Sequence, residues 1–467
     1  MFKPREHQVQ ANLDIRAFLK DTNPFNKYGV VVQPCGAGKS FIIAMTVQML
    51  KTPVLVIQPT KELLSQNYDK YITLGGEATI YSASFNTKEL SSVTYSTPGS
   101  IKNIGKDIKD LGVKVIIIDE CHYKCTKGGV IDKLIKQINP SKVIGLTATP
   151  VILEPSLDLG SSLLMLNRTS KSIFNSIIHV TQIKDIISNG YWTNIVYHNE
   201  KFDSKSLVKN SSGNDFTDSS IIKSFEDNNT LERIVDNYNK MISKGVKHIL
   251  IFVPSVEKAY ELNDLIKGSE VVTDETKPKD RSSILKRFLD GVTRCIINFG
   301  ILGTGFDFPS LDGVINARTT NSFAVYYQFL GRGVRLAENK KEYHYVDLGG
   351  NIDRFGKVED IIFEDFLDYG WGMFSGSKLL TGYPLIQDPK FKKDLIKVVD
   401  NKPAVNKSKI KNFWFGKHSG KHLARVPKVY IDWLLKQDSF KWYHKDYKQV
   451  EVEKFKTYLK ALVNGQG

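Results

Sequence analysis

The chain has 467 residues, 41 % hydrophobic and 25 % charged, with a net charge of +15; it is too long for one ordinary core, which predicts several globular domains, and the charge favours a polyanionic partner. No apolar run approaches the roughly 20 residues of a membrane span, so no membrane partner is expected. Four scattered cysteines (Cys35, Cys121, Cys125, Cys295) and a polar opening, "MFKPREHQVQ", lead to the expectation of no disulfide framework, no secretory leader and a reducing, cytoplasmic setting.

In chain order, the first strong signal is "YGVVVQPCGAGKSFIIAMTVQML" (28–50). Gly29 to Val32 reads as a buried parallel strand. A small-residue turn follows, and Lys39-Ser40 opens a helix-compatible run. A strand, a glycine turn and a helix N-terminus make a nest of backbone N–H groups for an anion. The spacing therefore predicts that Gly36, Ala37, Gly38, Lys39 and Ser40 grip the phosphates of ATP, with Lys39 on the β/γ-phosphates and Ser40 on Mg²⁺.

The second signal is "VKVIIIDECHY" (113–123). Its apolar run predicts a strand with Asp119 and Glu120 at the C-terminal end, where open α/β sheets place their ligands. Asp119 is expected to hold Mg²⁺ and Glu120 to orient and deprotonate water. Cys121 and Cys125 lack a second Cys/His pair at zinc spacing. Strands recur at "HILIFV", "EVVT", "RCIINF" and "DGVINAR", with helix-like runs between them, and "YHYVDLGG" (343–350) is expected to close that second sheet. Residues 201–230, rich in Ser, Asn and Asp, read as a loop or mobile insertion.

The Asp-Glu-Cys-His tetrad at 119–122 resembles the acidic motif of superfamily 2 helicases. The rest of the chain is similar to that family in order: "VLVIQPTKELLSQN" (54–67), "TYSTPGSI" (94–101), "GLTATP" (145–150), "ILIFVPSVEKA" (249–259), "INFGILGTGFDFPSLDGVINAR" (297–318) and "YYQFLGRGVR" (326–335). Gln33-Pro34 departs from the usual first glycine of the phosphate loop. The resemblance implies an α/β fold: two tandem RecA-like parallel-sheet domains plus a small basic C-terminal domain. Their expected bounds are 1–160, 161–400 and 401–467. It implies ATP in the cleft, with Arg332 and Arg335 as arginine fingers and Gln328 in the same motif.

"FKPREHQ" (2–8) resembles an adenine-recognising segment. Gln8 would pair with the adenine edge, and Arg5 or Phe2 would pack on the ring; His7 is read as a bystander. The resemblance places Gly305 and Asp307 near the nucleotide and Thr304 toward the nucleic-acid strand. It also places Thr60, Lys61, Gln66, Ser96 and Thr97 along that strand, gripping sugar-phosphate without reading sequence.

From Asn401 to Gly467 there are 15 Lys/Arg against 5 Asp/Glu. Its aromatics either form a small core or stack on bases. "NFWFGKHSGKHLARVPKVYIDWLLKQDSF" (412–440) resembles a C-terminal module of exodeoxyribonuclease X-like proteins, in which Lys417 and Lys421 would clasp a phosphate backbone. The segment lacks an acidic cluster and is not read as a nuclease.

These features lead to one expectation: an ATP-dependent DNA helicase or translocase. The pattern looks like phage-encoded branch-migration helicases of the UvsW type, working on forks or junctions in replication, recombination or repair, with protein partners there. Alternatives are an RNA helicase, the motor of a restriction or defence complex, and a nucleotide switch without a motor.

Overall fold

The computed structural model describes residues 3–156, 160–211, 215–303, 308–365 and 370–382, with single positions at 426, 431, 435 and 459. The chain forms two compact units, Met1–Phe363 and Glu364–Gly467. In the second unit, Trp371–Ser375 pairs antiparallel with Lys378–Leu379.

The first unit is built on two mainly parallel sheets. The first takes β1 (Tyr28–Val32), β2 (Val54–Ile57), β3 (Thr79–Ser82), β4 (Thr87–Lys88), β5 (Val93–Ser96), β6 (Val115–Asp119) and β7 (Lys142–Thr147). A hairpin of β8 (Val151–Ser156) and β9 (Gly160–Met165) follows, and β10 (Ser176–Val180) returns to the first sheet. Its order is β10-β1-β7-β6-β2-β5-β3-β4. Every residue of β2, β6 and β7 is buried. Strand β2 and residues 115–118 of β6 read as unbroken apolar runs, as strands covered on both faces do. Ile42, Ile43, Ala44 and Val47 of the helix Lys39–Met49 pack with Val31, Val54, Val56, Ile117 and Ile144.

The second sheet holds β11 (Asn194–Asn199), β12 (Ile249–Phe252), β13 (Ser269–Val272), β14 (Cys295–Asn298), β15 (Gly313–Asn316) and β16 (Glu342–Asp347). Its order is β11-β16-β15-β12-β14-β13, all parallel. Its core joins Ile249, Ile251, Ile297, Ile315 and Val346 to Ile234, Met241 and Leu262 from helices. The architecture matches the expected α/β fold with two parallel-sheet domains.

Three expectations about layout need correction. The first sheet does not end near residue 160: β10 pairs with β1, Gly29 opposite Ser176 and Val32 opposite Val180. Strand β16 does not close the second sheet; it lies between β11 and β15. Within 201–230, Asp218–Asp227 is a helix. Thr217 caps it by accepting from Ser220 N–H at 3.3 Å, and Ile221 and Phe225 bury its one apolar face. Asp215, just before it, accepts from Thr320 Oγ1 at 2.8 Å and Asn321 N–H at 2.6 Å. The insertion is therefore tied to the turn after β15.

Candidate functional site

The phosphate-loop sequence leaves the C-terminal end of β1 and turns through Gly36 (φ 69°) and Gly38 (φ 84°) before the helix begins at Lys39. Those left-handed angles need glycine. At Gly38 a side chain also has no room: a Cβ there would lie 2.3 Å from Gln8 Nε2.

Asp119 ends β6 and Glu120 follows at φ 47°, an uncommon conformation for a residue with a side chain. Such backbone strain persists only where its surroundings enforce it. Here Glu120 N–H donates to Asp119 Oδ1 at 2.9 Å, and Cys121 N–H donates to Leu146 O at 3.0 Å. Lys39 Nζ is ion-paired with Glu120 Oε1 and lies 4.0 Å from Asp119 Oδ1. His122 Nδ1 lies 3.4 Å from Glu120 Oε2 and 2.8 Å from Thr147 Oγ1. Asn67 Nδ2 donates to Asp119 Oδ2 at 2.9 Å.

The electrostatics follow from burial and neighbours. Burial pushes the Asp119 carboxyl up to about 6, against the pull of Lys39. At Glu120 burial acts in the same sense, but Lys39 and His122 outweigh it and hold the carboxyl below the usual range. For Lys39 burial opposes the charge, yet Glu120 and Asp119 keep the ammonium above its ordinary value. Burial lowers His122, leaving a neutral imidazole at neutral pH.

The second sheet brings its arginines to the same place. A cavity of about 400 Å³ is lined by Lys39, Ser40, Asp119 and Glu120 from one side and by Gln328, Arg332 and Arg335 from the other. Arg332 Nε donates to Gln328 O at 3.2 Å, and Gln328 Nε2 lies 3.4 Å from His122 Nε2. Lys340 Nζ donates to Arg335 O at 2.9 Å and Pro309 O at 3.0 Å. Burial lowers its ammonium to about 8.

The remaining sequence-predicted residues divide. Gly36, Gly38 and Arg5 line the cavity, and Ala37 is buried in the loop beneath it. The Arg5 guanidinium sits 4.1 Å from the centre of the Tyr191 ring. The buried Gln8 amide, expected to pair with adenine, is engaged at both ends by the loop and its own helix start. Its Nε2 donates to Ala37 O at 3.0 Å and its Oε1 accepts from Arg5 N–H at 3.0 Å. His7 is no bystander: its Nε2 lies 2.9 Å from the same Ala37 oxygen.

Thr60, Lys61 and Thr97 line a second cavity of about 360 Å³, which Asp119, Tyr123 and Lys124 share. Gln66 faces the nucleotide-sized cavity instead. Ser96 is fully buried, with its hydroxyl donating to Tyr81 O at 2.5 Å, so it does not reach a strand. Phe2, Thr304, Gly305, Asp307, Lys417 and Lys421 lie outside the described residues. Cys121 and Cys125 are free, and burial pushes both thiols up.

Sequence reasoning missed Asn67, Tyr191, Trp192 and Lys340. Asn67 closes the quoted run "LSQN" and was open to inspection; the others carry no periodic or spacing signal. No helix among the described residues is long and apolar enough to cross a membrane.

With this geometry in place, comparison with known proteins adds the lineage. Residues 1–152 match the family described as type III restriction enzyme, res subunit, and residues 229–337 match the helicase conserved C-terminal domain. IRC3 of Saccharomyces cerevisiae, named provisionally as an ATP-dependent helicase, is 25 % identical over 249 residues, which are 51 % of this chain and 34 % of that protein. The DNA 3'-5' translocase XPB2 of Sulfurisphaera tokodaii is 23 % identical over 72 % of this chain and 79 % of its own. Among solved structures, the ATP-dependent type ISP restriction-modification enzyme LlaBIII bound to DNA superposes with a TM-score of 0.51. It shares 17 % identity, covering 74 % of this chain and 27 % of that one. The chain thus spans about a third of the length of the first of these relatives.

Proposed function

We propose that the chain is a helicase of superfamily 2 type, a reading supported by the family matches over residues 1–152 and 229–337, and that it hydrolyses ATP to move along or remodel DNA. One observation carries the reading: Lys39 and Glu120 of the first sheet and Arg332 and Arg335 of the second line one cavity. Phosphoryl transfer asks little covalent chemistry of the protein; positioning and charge do most of the work.

In this proposal the triphosphate lies over the Gly36–Ser40 loop. Lys39 exchanges its pairing with Glu120 for the phosphates, which frees that carboxylate to orient and deprotonate water. Arg332, which stays beside it, favours its ionised form. Arg332 and Arg335 neutralise the charge that develops on the transferred group. Ser40 and Asp119 would hold Mg²⁺: both offer hard oxygen donors, and two hydrogen bonds aim the Asp119 carboxylate. Magnesium, when bound, supplies charge neutralisation across the phosphates. Drawing the lobes together around ATP and releasing them after hydrolysis is the source of movement.

DNA is favoured over RNA by the DNA translocase relative; the basic tail suits either polyanion. A branched substrate follows from the resemblance to phage branch-migration helicases and from analogy. Thr60, Lys61 and Thr97, beside the second cavity, would hold the sugar-phosphate; Thr304, Lys417 and Lys421 are proposed as further phosphate contacts on the sequence resemblance alone. Domain bounds follow the two sheets, with 401–467 as the third part and the host cytoplasm as the setting. A second reading, the motor of a restriction complex, is favoured by the res-subunit match over residues 1–152. ATPase rates with single-stranded DNA, duplex, fork, four-way junction and RNA test the choice. Greatest stimulation by RNA overturns the DNA reading, and co-purification of a nuclease subunit supports the second.

A further inference from the structure

The chain passes from the first sheet to the second through Tyr191, Trp192 and Thr193, between β10 and β11. Trp192 and Thr193 are nearly fully buried there, and each reaches in a different direction. Trp192 Nε1 donates to Cys35 O, in the phosphate loop, at 2.7 Å. Thr193 N–H donates to Val334 O at 2.8 Å, and Thr193 Oγ1 donates to Arg335 O at 2.9 Å. Two consecutive residues therefore hold the backbone of the loop and the backbone of the arginine turn.

A third contact supports this bridge. Cys35 N–H donates to Tyr327 Oη, on the helix Phe323–Leu330 that leads to Arg332, at 3.3 Å. Both backbone polar groups of Cys35 are thus held by side chains from beyond the first sheet. Gly36 lies at the meeting point: a Cβ there would be 3.5 Å from Trp192 Nε1 and 3.6 Å from Arg335 Cγ.

We infer that Trp192 and Thr193 are positioning residues that set the distance between the phosphate loop and the arginine turn. Neither lines the cavity of about 400 Å³. They act through Cys35 and Arg335, whose separation decides whether the guanidinium meets the transferred group. The inference rests on the ATPase reading above. A buried hydrogen bond between rigid elements is suited to this task, since small misplacements of reacting groups are costly.

The test uses the full chain with Trp192→Phe, which keeps the ring and drops the N–H, and Thr193→Val, which keeps the shape and drops the hydroxyl. Steady-state ATPase is measured with the best-stimulating nucleic acid, alongside affinity for a fluorescent ADP analogue. Each variant is expected to lose about 10-fold in kcat while ADP affinity stays within about twofold. Thr193→Ser, which restores the hydroxyl, is expected to recover wild-type kcat. An unchanged kcat overturns the inference. So does a loss that only tracks ADP affinity, or a serine variant no better than valine. No turnover by the wild-type protein with any nucleic acid is a different failure: it removes the ATPase reading itself.

Discussion

Asn67 Nδ2 donates to Asp119 Oδ2 at 2.9 Å, and both groups are buried. Asn67 belongs to the helix Lys61–Thr73, whose first residues border the second cavity. One rigid helix therefore touches the proposed nucleic-acid side at its start and the acid of the nucleotide site at its middle. This gives a contiguous physical route by which a bound strand can bias Asp119.

Asp119 also carries a stability prediction. Its carboxyl is raised to about 6 by burial, above the usual value for an aspartate. A raised acid favours the fold most at low pH, and that contribution is lost as pH rises through the folded value. Asp119→Asn removes the penalty of the buried anion, and Asn67 can turn its amide to suit, since its oxygen has no partner. The variant is expected to melt higher than wild type at pH 8, with the gain vanishing below about pH 4, and to lose ATPase activity. Thermal melts from pH 4 to pH 8 check it; a lower melting temperature at pH 8 counts against the assignment.

Arg335→Ala separates binding from chemistry. If Arg335 is a finger, ATP binding survives while hydrolysis slows by about 10³-fold or more. Lys39→Ala, by contrast, removes the first lobe's cation on the phosphates and is expected to abolish turnover. Single-turnover hydrolysis and binding of a fluorescent ATP analogue distinguish the two. Equal loss of binding and turnover in Arg335→Ala would falsify its role.

Gln8 tests loop support against base reading. Because its amide is engaged with Ala37 and the Arg5 backbone, Gln8→Ala is expected to weaken ATP and GTP alike, by about fivefold for a lost buried hydrogen bond. Competition of both nucleotides against a fluorescent analogue measures this. A loss confined to ATP restores the adenine-reading role expected from the sequence.

Removal of residues 401–467 is expected to weaken DNA binding and to flatten its dependence on salt, since each lost phosphate contact lowers the slope by about 0.9 for duplex DNA. Titration at several salt concentrations reads the slope directly. An unchanged slope makes the tail a protein-contact or structural part.

The strands were legible because β2, β6 and β7 are buried throughout, which leaves apolar runs such as "VLVI" and "VIII". The loop and the acid pair were legible because glycine angles and strand-end carboxylates leave fixed spacings. Other features leave no such trace. Strand β10, "SIIHV", is short and lies beyond a hairpin, so nothing local joins it to β1. The helix Asp218–Asp227 hides in a Ser-rich stretch because its buried face needs only Ile221 and Phe225 among large residues. For Gln8 the sequence supplies an amide but not its direction. For Trp192 it supplies an indole whose partner, Cys35, lies 157 positions earlier in the chain.

The packing around Cys35 has a practical consequence. Its sulfur lies against the Gly331 turn, where a Cβ would come within 2.7 Å of Sγ, and burial pushes its thiol up. The other three cysteines are buried, beside β6 or within β14 of a single sheet's own core. Cys35 itself is part-exposed and borders the nucleotide-sized cavity, so its capture by maleimide is expected to slow when a nucleotide fills that cavity. The protein carries, without engineering, a chemical reporter of its own occupancy.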